Sequence, residues 1–381
     1  MKIGITCYPT YGGSGVVATE LGIELAQRGH QVHFITYSQP FRLQGPQPNI
    51  LYHEVEVSHY PLFEYPPYDL ALATRMAEVA TIYDLDLLHV HYAIPHSVSA
   101  YLAKQMIAAS HGRRCLPFVT TLHGTDITLV GQDRSYLPIT RFSIEQSDGV
   151  TAISEYLRER TISEFKSTKD IRVMHNFVNC DIYKRPADWR QRRREFAHDD
   201  ERLLVHLSNF RPVKRLTDVV EIFDRIQKIM PARLLLIGDG PDRSAAEWLA
   251  VEKKIHNRIL FLGKQDSVHE KLALADVLLM PSQLESFGLA ALEAMACEVV
   301  PIATRVGGVP EVVEHGVTGF LAGVGELDTM ANYAVEILSD PQRLQAMALA
   351  GRHAAQNRFS ASIIIPQYEA FYREVLERAS A

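Results

Sequence analysis

The sequence predicts an α/β protein of two domains, each a parallel sheet covered by helices. The chain has 381 residues, 47% hydrophobic and 22% charged, and this length exceeds what one hydrophobic core usually supports. Short apolar runs bounded by Gly, Pro or Asp alternate with amphipathic stretches of helical length. A polar, charge-rich stretch at 181–202 separates two series of this alternation. We therefore expect two Rossmann-like domains that face each other across a cleft.

The first domain is predicted to cover residues 1–178. Its first two strands are joined by a stretch at 15–29 that has helical periodicity and ends at a glycine, a common helix stop. The predicted strands are KIGITCY (2–8), QVHFITY (31–37), DLLHVHY (86–92), PFVTTLHG (117–124), DGVTAIS (148–154) and IRVMHNF (171–177).

The second domain is predicted to cover residues 179–360. The pattern becomes wholly helical after residue 325, and the last helix, 361–381, is expected to pack back on the first domain. The run Arg192–Arg194 is surrounded by acidic residues and predicts a solvated linker helix instead of a nucleic-acid surface. The predicted strands are LLVHLSNF (203–210), ARLLLIGDG (232–240), RILFLG (258–263), DVLLMPS (276–282) and VVPIATR (299–305).

Charge and cysteine usage exclude several classes of function. A net charge of -6 and a pI near 6.2 give no basic field that would attract nucleic acid or a membrane. No apolar run is long enough to span a membrane, and the N-terminus does not look like a signal peptide, so we expect a cytoplasmic protein. Neither a zinc site nor a disulfide framework is indicated by the scattered cysteines Cys7, Cys115, Cys180 and Cys297.

A glycine-rich loop, PTYGGSG at 9–15, follows the first strand and opens a helix. Free amide groups and the positive end of the helix dipole suit a phosphate or carboxylate there. The loop is not the dinucleotide fingerprint, because Val17 and Ala18 follow it and no acidic residue closes the second strand. A plain tight turn without a ligand remains the alternative.

A basic turn, SNFRPVKRL at 208–216, follows the first strand of the second domain. Arg211, Lys214 and Arg215 concentrate positive charge at a strand end, where ligands of open α/β sheets bind. Arginine binds phosphate through a bidentate fork and lysine as a point charge, so the turn suits a nucleotide diphosphate. The alternative is a solvated helix start, although cations there oppose the helix dipole.

The stretch PSQLESFGLAALEAMA at 281–296 places Glu285 in a loop and Glu293 about two turns into a helix. Carboxylates accept hydrogen bonds from vicinal hydroxyls, and amide groups at a helix start favour phosphate or sugar oxygens. The set matches a sugar nucleotide. On spacing alone, Glu285 could instead be a favourable charge near the helix start and Glu293 a solvent-facing residue.

Histidines and acidic pairs raise the question of a general base or a metal. His123, beside Asp126 in TTLHGTD, fits a general base, a hydroxyl partner or a hydrogen-bonded turn residue. His89 and His91 share one face of a strand, but no further ligands lie nearby, so buried, hydrogen-bonded histidines are favoured. The pair at 84 and 86 precedes a strand and is interpreted as a turn. No metal site is predicted.

Taken together, the glutamate pair, SNFRPVKR, GDGP at 238–241 and TTLHGTD resemble the retaining glycosyltransferases of family 4, which have the two-domain GT-B architecture. The similarity runs along the whole chain. KIGITCYPTYGGSGVVATELG, VHYAIPHSVSAYLAKQM and ESFGLAALEAMA resemble in particular the members that use L-malate in bacillithiol biosynthesis. The resemblance implies transfer of N-acetylglucosamine from UDP-N-acetylglucosamine to the hydroxyl of L-malate, without a cofactor or an essential metal.

The resemblance also assigns roles on the donor side. Glu293 would hold the ribose hydroxyls and Glu285 the sugar 3-hydroxyl, while Lys214 and Arg211 would neutralise the diphosphate. Many relatives carry an arginine where this chain has Asn209, so either Asn209 or Arg211 fills that position. The catalytic candidates are Lys214, Arg211, Glu285 and His123, the last near the sugar 6-hydroxyl. Further donor contacts are expected from Gly13, Ser14 and Gly15, which would close over the phosphates, and from Ser286, Phe287, Gly288 and Leu289.

On the acceptor side, a dicarboxylate needs a cation and hydrogen-bond donors. By similarity to the malate-using members, these are Arg141, Tyr92, Thr120, Thr121 and Asn176, although Arg141 could equally lie on a helix surface. A family 4 enzyme with another acceptor and a UDP-sugar epimerase of the same architecture are the alternatives. The expected partners are small molecules, not nucleic acid or membrane, and a homo-oligomer is compatible with the sequence.

Overall fold

A computed structural model of the protein divides into two compact units. The first unit comprises residues 1–175 with 364–381, and the second comprises 176–363. The predicted divisions lie at 178 and 361. Cys115 falls outside the described residues, and so does Tyr11, which belongs to the glycine-rich loop. The structure describes residues 1–10, 12–43, 45, 47–58, 61–62, 64–111 and 116–380.

The first unit is built on a seven-stranded parallel sheet with the order β3-β2-β1-β4-β5-β6-β7. β4 and β5 are buried along their whole length, as expected for central strands covered on both faces. The sequence analysis missed β3, an edge strand in which only His53 is buried and the apolar residues Ile50 and Leu51 are partly exposed. The strands are β1 (Lys2–Thr6), β2 (Gln31–Thr36), β3 (Ile50–Glu54), β4 (Leu87–His91), β5 (Phe118–Leu122), β6 (Gly149–Ala152) and β7 (Ile171–Val173).

Helices cover this sheet, and a side chain caps the start of α6 (Glu155–Phe165). The hydroxyl of Ser154 accepts a hydrogen bond from the amide of Leu157 at 3.1 Å, which satisfies one of the unpaired groups at a helix start. The helices are α1 (Gly13–Gln27), α2 (Tyr68–Tyr83), a π-helical turn (Ala93–Ser97), α3 (Val98–His111), α4 (Thr125–Thr128), a 3-10 turn (Val130–Gln132), α5 (Leu137–Gln146) and α6 (Glu155–Phe165).

The second unit is built on a six-stranded parallel sheet with the order β10-β9-β8-β11-β12-β13. One large apolar core fills the space between this sheet and its helices. β13 is only three residues long, too short to show a pattern in the sequence. The strands are β8 (Arg202–Leu207), β9 (Ala232–Ile237), β10 (Ile259–Gly263), β11 (Val277–Met280), β12 (Val300–Thr304) and β13 (Phe320–Ala322).

The remaining helices belong mainly to the second unit. α14 begins at a capping aspartate, Asp340, whose carboxylate accepts from the amides of Gln342 and Arg343 at 3.1 and 3.0 Å. They are α7 (Trp189–Arg193), a 3-10 turn (Pro212–Lys214), α8 (Leu216–Gln227), α9 (Arg243–Glu252), a 3-10 turn (His256–Arg258), α10 (Val268–Leu272), α11 (Leu289–Ala296), α12 (Val309–Val312), α13 (Leu327–Ser339), α14 (Pro341–Arg358) and α15 (Ala361–Ser380).

Most of α15 belongs to the first unit, where polar bonds attach it to the sheet and its helices. The Tyr372 hydroxyl lies 2.7 Å from Nδ1 of His89 in β4. Less than one turn earlier in the helix, Glu369 accepts two hydrogen bonds of 3.0 Å from the guanidinium of Arg28. Tyr368 and Tyr372 are buried, so this helix completes the core of the first unit.

The GDGP stretch allows two loops of the second unit to pack closely. A Cβ on Gly238, whose φ is +123°, would lie 1.8 Å from the carbonyl oxygen of Ser208. A Cβ on Gly240 would lie 2.1 Å from the carbonyl oxygen of Asn209. These contacts seat the start of the basic turn against the loop that follows β9.

Gly238→Ala is expected to lower the free energy of unfolding by roughly 2 to 4 kcal/mol, because the methyl group and the backbone oxygen cannot share that space. Urea denaturation followed by circular dichroism measures the change. Gly263→Ala is the matched control: its φ is +68° but nothing lies within 4 Å of the added Cβ. Equal losses in the two variants would contradict this interpretation of the loop contact.

Candidate functional site

Lys214 and Glu285, predicted from separate motifs, meet in the second unit. The Lys214 ammonium lies 2.6 Å from the Glu285 carboxylate. β8 and β11 are parallel neighbours, so the loops that follow them emerge at the same edge of the sheet. The amide of Gln283 also donates to the carbonyl of Val213 at 2.8 Å, which links the two loops directly. One cation and one carboxylate are thus held side by side at the carboxyl edge.

Beside this pair, α11 begins at Gly288, which has a left-handed backbone with φ +99° and ψ 44°. Its first amide groups have no acceptor inside the helix and point outward with the positive end of the dipole. Phe287 is buried and packs edge-to-face on Phe359 with ring centroids 5.8 Å apart. The Phe287 side chain therefore anchors the loop, and the backbone from Ser286 to Leu289 is the part suited to a ligand oxygen.

Glu293 is buried, with 7% of its surface exposed. Its carboxylate accepts a hydrogen bond of 2.9 Å from the hydroxyl of Tyr183, which is itself buried. The alternative that Glu293 is a solvent-facing residue is therefore wrong. A buried carboxylate about one turn into α11 needs polar partners, and a hydroxyl group is the kind of donor it already has.

The three cations of the basic turn differ in their environment. Arg215 is neutralised within its own helix by Asp218, at 2.6 Å. Lys214 pairs with Glu285. Arg211 is exposed and, within the described part of the chain, forms no ion pair; Asn209 is also exposed. Lys214 and Arg211 remain as the cations suited to a diphosphate.

Sequence analysis missed His206, which supports this turn from below. Its Nδ1 lies 2.8 Å from the carbonyl oxygen of Leu279, and its Nε2 lies 2.8 Å from the hydroxyl of Ser208. Burial lowers the pKa of His206 to about 4, and the nearby charge of Lys214 acts in the same direction. A neutral imidazole therefore joins β8 to β11 under the site; only its place at the end of an apolar strand could have indicated this.

In the first unit, the glycine-rich loop lies next to Tyr92. The Tyr92 hydroxyl donates to the Ser14 hydroxyl at 3.1 Å. A Cβ on Gly15 would lie 2.5 Å from the carbonyl of Tyr8, so the loop turns back tightly on β1; Gly13 next to it is exposed and opens α1. Ser14 and Tyr92 are thus brought together at the carboxyl ends of β1 and β4.

His123 lies against Tyr92, with ring centroids 5.4 Å apart. Its Nε2 lies 2.8 Å from Nδ1 of His91. Burial lowers the pKa of His123 to about 3, and His96 contributes in the same direction. So weak a base accepts protons poorly at neutral pH, which counts against the general-base alternative. A hydroxyl partner and a hydrogen-bonded turn residue both stay compatible with the contact to His91.

Asp126 has a structural role in the same loop. Its carboxylate accepts from the amides of Ala93, Gly124 and His123 at 3.0, 2.9 and 3.3 Å. Burial raises the pKa of Asp126, and these backbone bonds oppose the rise. The carboxylate therefore fixes the loops after β4 and β5 and so sets the position of His123.

Thr120 and Thr121, which are predicted as acceptor contacts, are fully buried. Thr120 Oγ1 lies 3.0 Å from the hydroxyl of Ser97 and 2.8 Å from that of Ser147. Thr121 Oγ1 lies 2.7 Å from Nε2 of His89, inside the sheet. Both hydroxyls already have protein partners, so their positions do not support direct contact with a ligand.

The two histidines considered as metal ligands lie in the interior. His89 bonds to Tyr372 and Thr121, whereas Nε2 of His91 is buried without a hydrogen-bond partner among the described residues. Asp84 ends α2 in a left-handed turn, and Asp86 accepts from the amide of Lys2 at 2.7 Å. Across the described ranges, no group of three or more His, Cys, Asp or Glu residues is placed to hold a metal ion.

Arg141 and Asn176 are the two remaining acceptor candidates. Arg141 is exposed on α5 and has no ion pair among the residues that the structure describes. Asn176 is buried, and it belongs to the second unit, although the predicted boundary assigned it to the first domain. The chain leaves the first sheet at β7, just before this residue.

Two family models match the chain: Glycosyltransferase Family 4 over residues 11–182, and Glycosyl transferases group 1 over residues 187–354. The N-acetyl-alpha-D-glucosaminyl L-malate synthase of Bacillus anthracis is 51% identical over 377 residues, which cover 99% of this chain and 97% of that protein. The chain belongs to the family 4 glycosyltransferases. A GDP-mannose-dependent mannosyltransferase of Mycolicibacterium smegmatis is 28% identical over 74% of this glycosyltransferase and 75% of its own length.

Solved structures share the fold of this glycosyltransferase. Sucrose-phosphate synthase from Thermosynechococcus elongatus matches with a TM-score of 0.79 and 22% identity, covering 99% of this chain and 100% of that one. The Anabaena protein HepE in complex with UDP-glucose matches with a TM-score of 0.83 and 21% identity, covering 98% and 100%. Two Rossmann-like units, the GT-B architecture predicted from the sequence, are thereby confirmed. In the described part of the chain, no helix has the length and hydropathy of a membrane span.

Proposed function

We propose that this glycosyltransferase transfers N-acetylglucosamine from UDP-N-acetylglucosamine to the hydroxyl of L-malate, with retention at the anomeric carbon, as a step of bacillithiol biosynthesis. The observation that carries the proposal is 51% identity, over 99% of the chain, to a synthase named for this product. The pairing of Lys214 with Glu285 beside the start of α11 supports the donor side of the proposal. A lysine can neutralise a diphosphate, and a carboxylate can accept hydrogen bonds from sugar hydroxyls.

On the donor side, each group of the site has a matching partner in the sugar nucleotide. Glu293 accepts the ribose hydroxyls, as it accepts the Tyr183 hydroxyl in the structure. The amide groups from Ser286 to Leu289 face sugar or phosphate oxygens. Lys214 turns from Glu285 to the diphosphate when the donor binds, and Glu285 then accepts the sugar 3-hydroxyl. Arg211 supplies the second positive charge, so no metal ion is required to neutralise the leaving group.

The chemical step follows from these contacts. Glu285 is ion-paired and is assigned to a sugar hydroxyl, so it is a poor nucleophile for a covalent intermediate. The malate hydroxyl instead attacks on the face from which the diphosphate departs, and a diphosphate oxygen takes its proton. Rate enhancement then comes from stabilising the negative charge on the leaving group and from positioning the two reactants. His123 holds the sugar near its 6-hydroxyl.

The acceptor is expected to bind through the first unit. Arg141 supplies the cation for a malate carboxylate, and Tyr92 and Ser14 supply hydroxyl groups. Asn176, which belongs to the second unit, stays a predicted acceptor contact. Thr120 and Thr121 support this region from the interior.

Arg141→Ala is expected to raise the KM for L-malate roughly 10- to 100-fold, the effect of losing one charged hydrogen bond. The Kd for UDP should stay unchanged. Initial-rate kinetics and UDP titration measure the two quantities. Arg160→Ala is the control, because that arginine is half-buried in the same unit and, among the described residues, has Glu164 of its own helix as its ion-pair partner at 3.0 Å. Parallel loss of malate and UDP affinity in Arg141→Ala would contradict the acceptor role.

The proposed function is tested by UDP release from UDP-N-acetylglucosamine in the presence of a panel of hydroxy acids. We expect L-malate to accelerate release most strongly and the product to be the α-anomer. If a different hydroxy acid accelerates UDP release, the assignment of the donor stands and the assignment of L-malate as the acceptor is overturned. Conversion of the donor without any acceptor, with no UDP released, would instead identify an epimerase.

A further inference from the structure

A cavity lies in the second unit, at the opposite edge of the sheet from Lys214 and Glu285. Its volume is about 730 Å³, within the range of roughly 300 to 1,000 Å³ typical of small-molecule sites. Arg202 begins β8, and Asp276 and Glu298 shortly precede β11 and β12, so the cavity opens at the amino ends of these strands. β8 is six residues long, which separates the two sites by roughly 20 Å.

Five arginines, one tryptophan and four carboxylates form most of the lining of this cavity. The linker at 181–202 supplies most of these residues, from α7 and the residues on either side of it. The prediction that the linker forms a solvated helix is therefore only partly right. α14 supplies part of the opposite wall. The positively charged and aromatic members are Arg185, Arg190, Arg193, Arg194, Arg202 and Trp189.

Only some of these positive charges are neutralised by the protein. Arg193 pairs with Asp276 at 2.7 Å, and Arg194 pairs with Asp199 at 3.0 Å. The other two lining carboxylates pair with arginines outside the cavity, Glu201 with Arg233 at 2.8 Å and Glu298 with Arg352 at 3.9 Å. The remaining lining arginines form no ion pair within the part of the chain that the structure describes: Arg185, Arg190 and Arg202.

Arg185 shows the imbalance most clearly. Its Nε is buried without a hydrogen-bond partner among the described residues, while its Nη2 donates to the carbonyl of Ala275 at 2.6 Å. The guanidinium groups of Arg185, Arg190 and Arg193 lie 4.5, 5.0 and 6.0 Å from the ring centroid of Trp189. Asp276 pairs with Arg193 and acts together with Glu298 on Arg185, but three like charges around one indole still repel each other, and an unpaired buried N–H is unfavourable. An anion in the cavity would relieve both.

We propose that this cavity binds a small, multiply charged anion bearing phosphate or carboxylate groups, at a site separate from the one for the sugar donor. The guanidinium groups of Arg190 and Arg202 are available for bidentate bonds to such groups. Arg185 would direct its unpaired Nε to the same ligand. The inference does not depend on the identity of the sugar acceptor.

Isothermal titration calorimetry on the full-length protein tests the proposal. The donor site is first saturated with UDP, and inorganic pyrophosphate or citrate is then added at constant ionic strength without divalent cations. We expect one probe to bind per chain. Arg190→Gln should weaken this binding roughly tenfold or more, the loss of one charged hydrogen bond. Arg190 has no side-chain hydrogen bond among the described residues, so the variant should fold.

Arg192→Gln is the matched control. Arg192 lies in the same short helix and carries the same charge, but it pairs with Asp188 at 2.9 Å and does not line the cavity. Selective weakening by Arg190→Gln supports the site, and the probe that binds identifies phosphate or carboxylate as the ligand class. Absence of binding by both probes, or equal weakening in the two variants, would overturn it. Failure of the initial UDP titration would count against the proposed function instead.

Discussion

Lys214→Ala is expected to lower kcat roughly 100- to 1,000-fold, the usual effect of removing one group that stabilises charge in a transition state. The ammonium is placed to follow the negative charge that develops on the departing diphosphate. The variant should bind UDP more weakly as well, but the larger loss should fall on kcat. Steady-state kinetics of UDP release, with UDP-N-acetylglucosamine and L-malate both saturating, measure the effect.

Arg215→Ala is the control for this prediction. It removes the same charge from the next residue, but Arg215 is already neutralised by Asp218 at 2.6 Å. We expect its kcat to change little. A loss as large as that of Lys214→Ala would mean that the general positive potential of the turn, and not the Lys214 ammonium, drives the reaction.

Acidification is expected to destabilise the first unit strongly. Burial lowers the pKa of His89 and His123 to about 3 and that of His96 to about 4, from an ordinary value of 6.5. The unfolded chain therefore binds protons before the folded chain does as the pH falls. The free energy of unfolding has its full value above about pH 6.5. Below that pH it declines by about 1.4 kcal/mol per pH unit for each of these histidines.

Denaturant unfolding between about pH 7.5 and about pH 5 measures this slope. His96→Gln should make the slope shallower by the contribution of one histidine, whatever its effect on stability at neutral pH. His353→Gln, at an exposed position on α14, should leave the slope unchanged. A slope that is the same in the wild type and in His96→Gln would show that this imidazole is protonated in the folded state.

The meeting of Lys214 and Glu285 could be predicted from the sequence because parallel sheets follow a simple rule. Lys214 and Glu285 follow different strands, and strands that run in parallel place their following loops at one edge. The apolar runs that identified those strands are buried on both faces in the structure. β3 and β13 were missed for the opposite reason: one is a weakly buried edge strand and the other has only three residues.

The sequence did not indicate which side chains contact each other. The strand pattern placed Thr120 and Thr121 near a ligand, but one of them points to each face of the sheet, into hydroxyl and histidine networks. The contact between His123 and His91 joins two strands, and the contact between His89 and Tyr372 joins β4 to the last helix. No spacing rule connects residues so far apart in the chain. The arginine cluster of the linker likewise became a cavity wall only through folding against α14.

A crystal structure of the protein with UDP tests the assignment of the donor site most directly. We predict ribose hydroxyls within about 3.2 Å of the Glu293 carboxylate and diphosphate oxygens within the same distance of the Lys214 ammonium. Glu285 should have separated from Lys214. UDP bound elsewhere, or bound with Glu293 still making no contact to the ribose, would contradict the proposed roles of these residues.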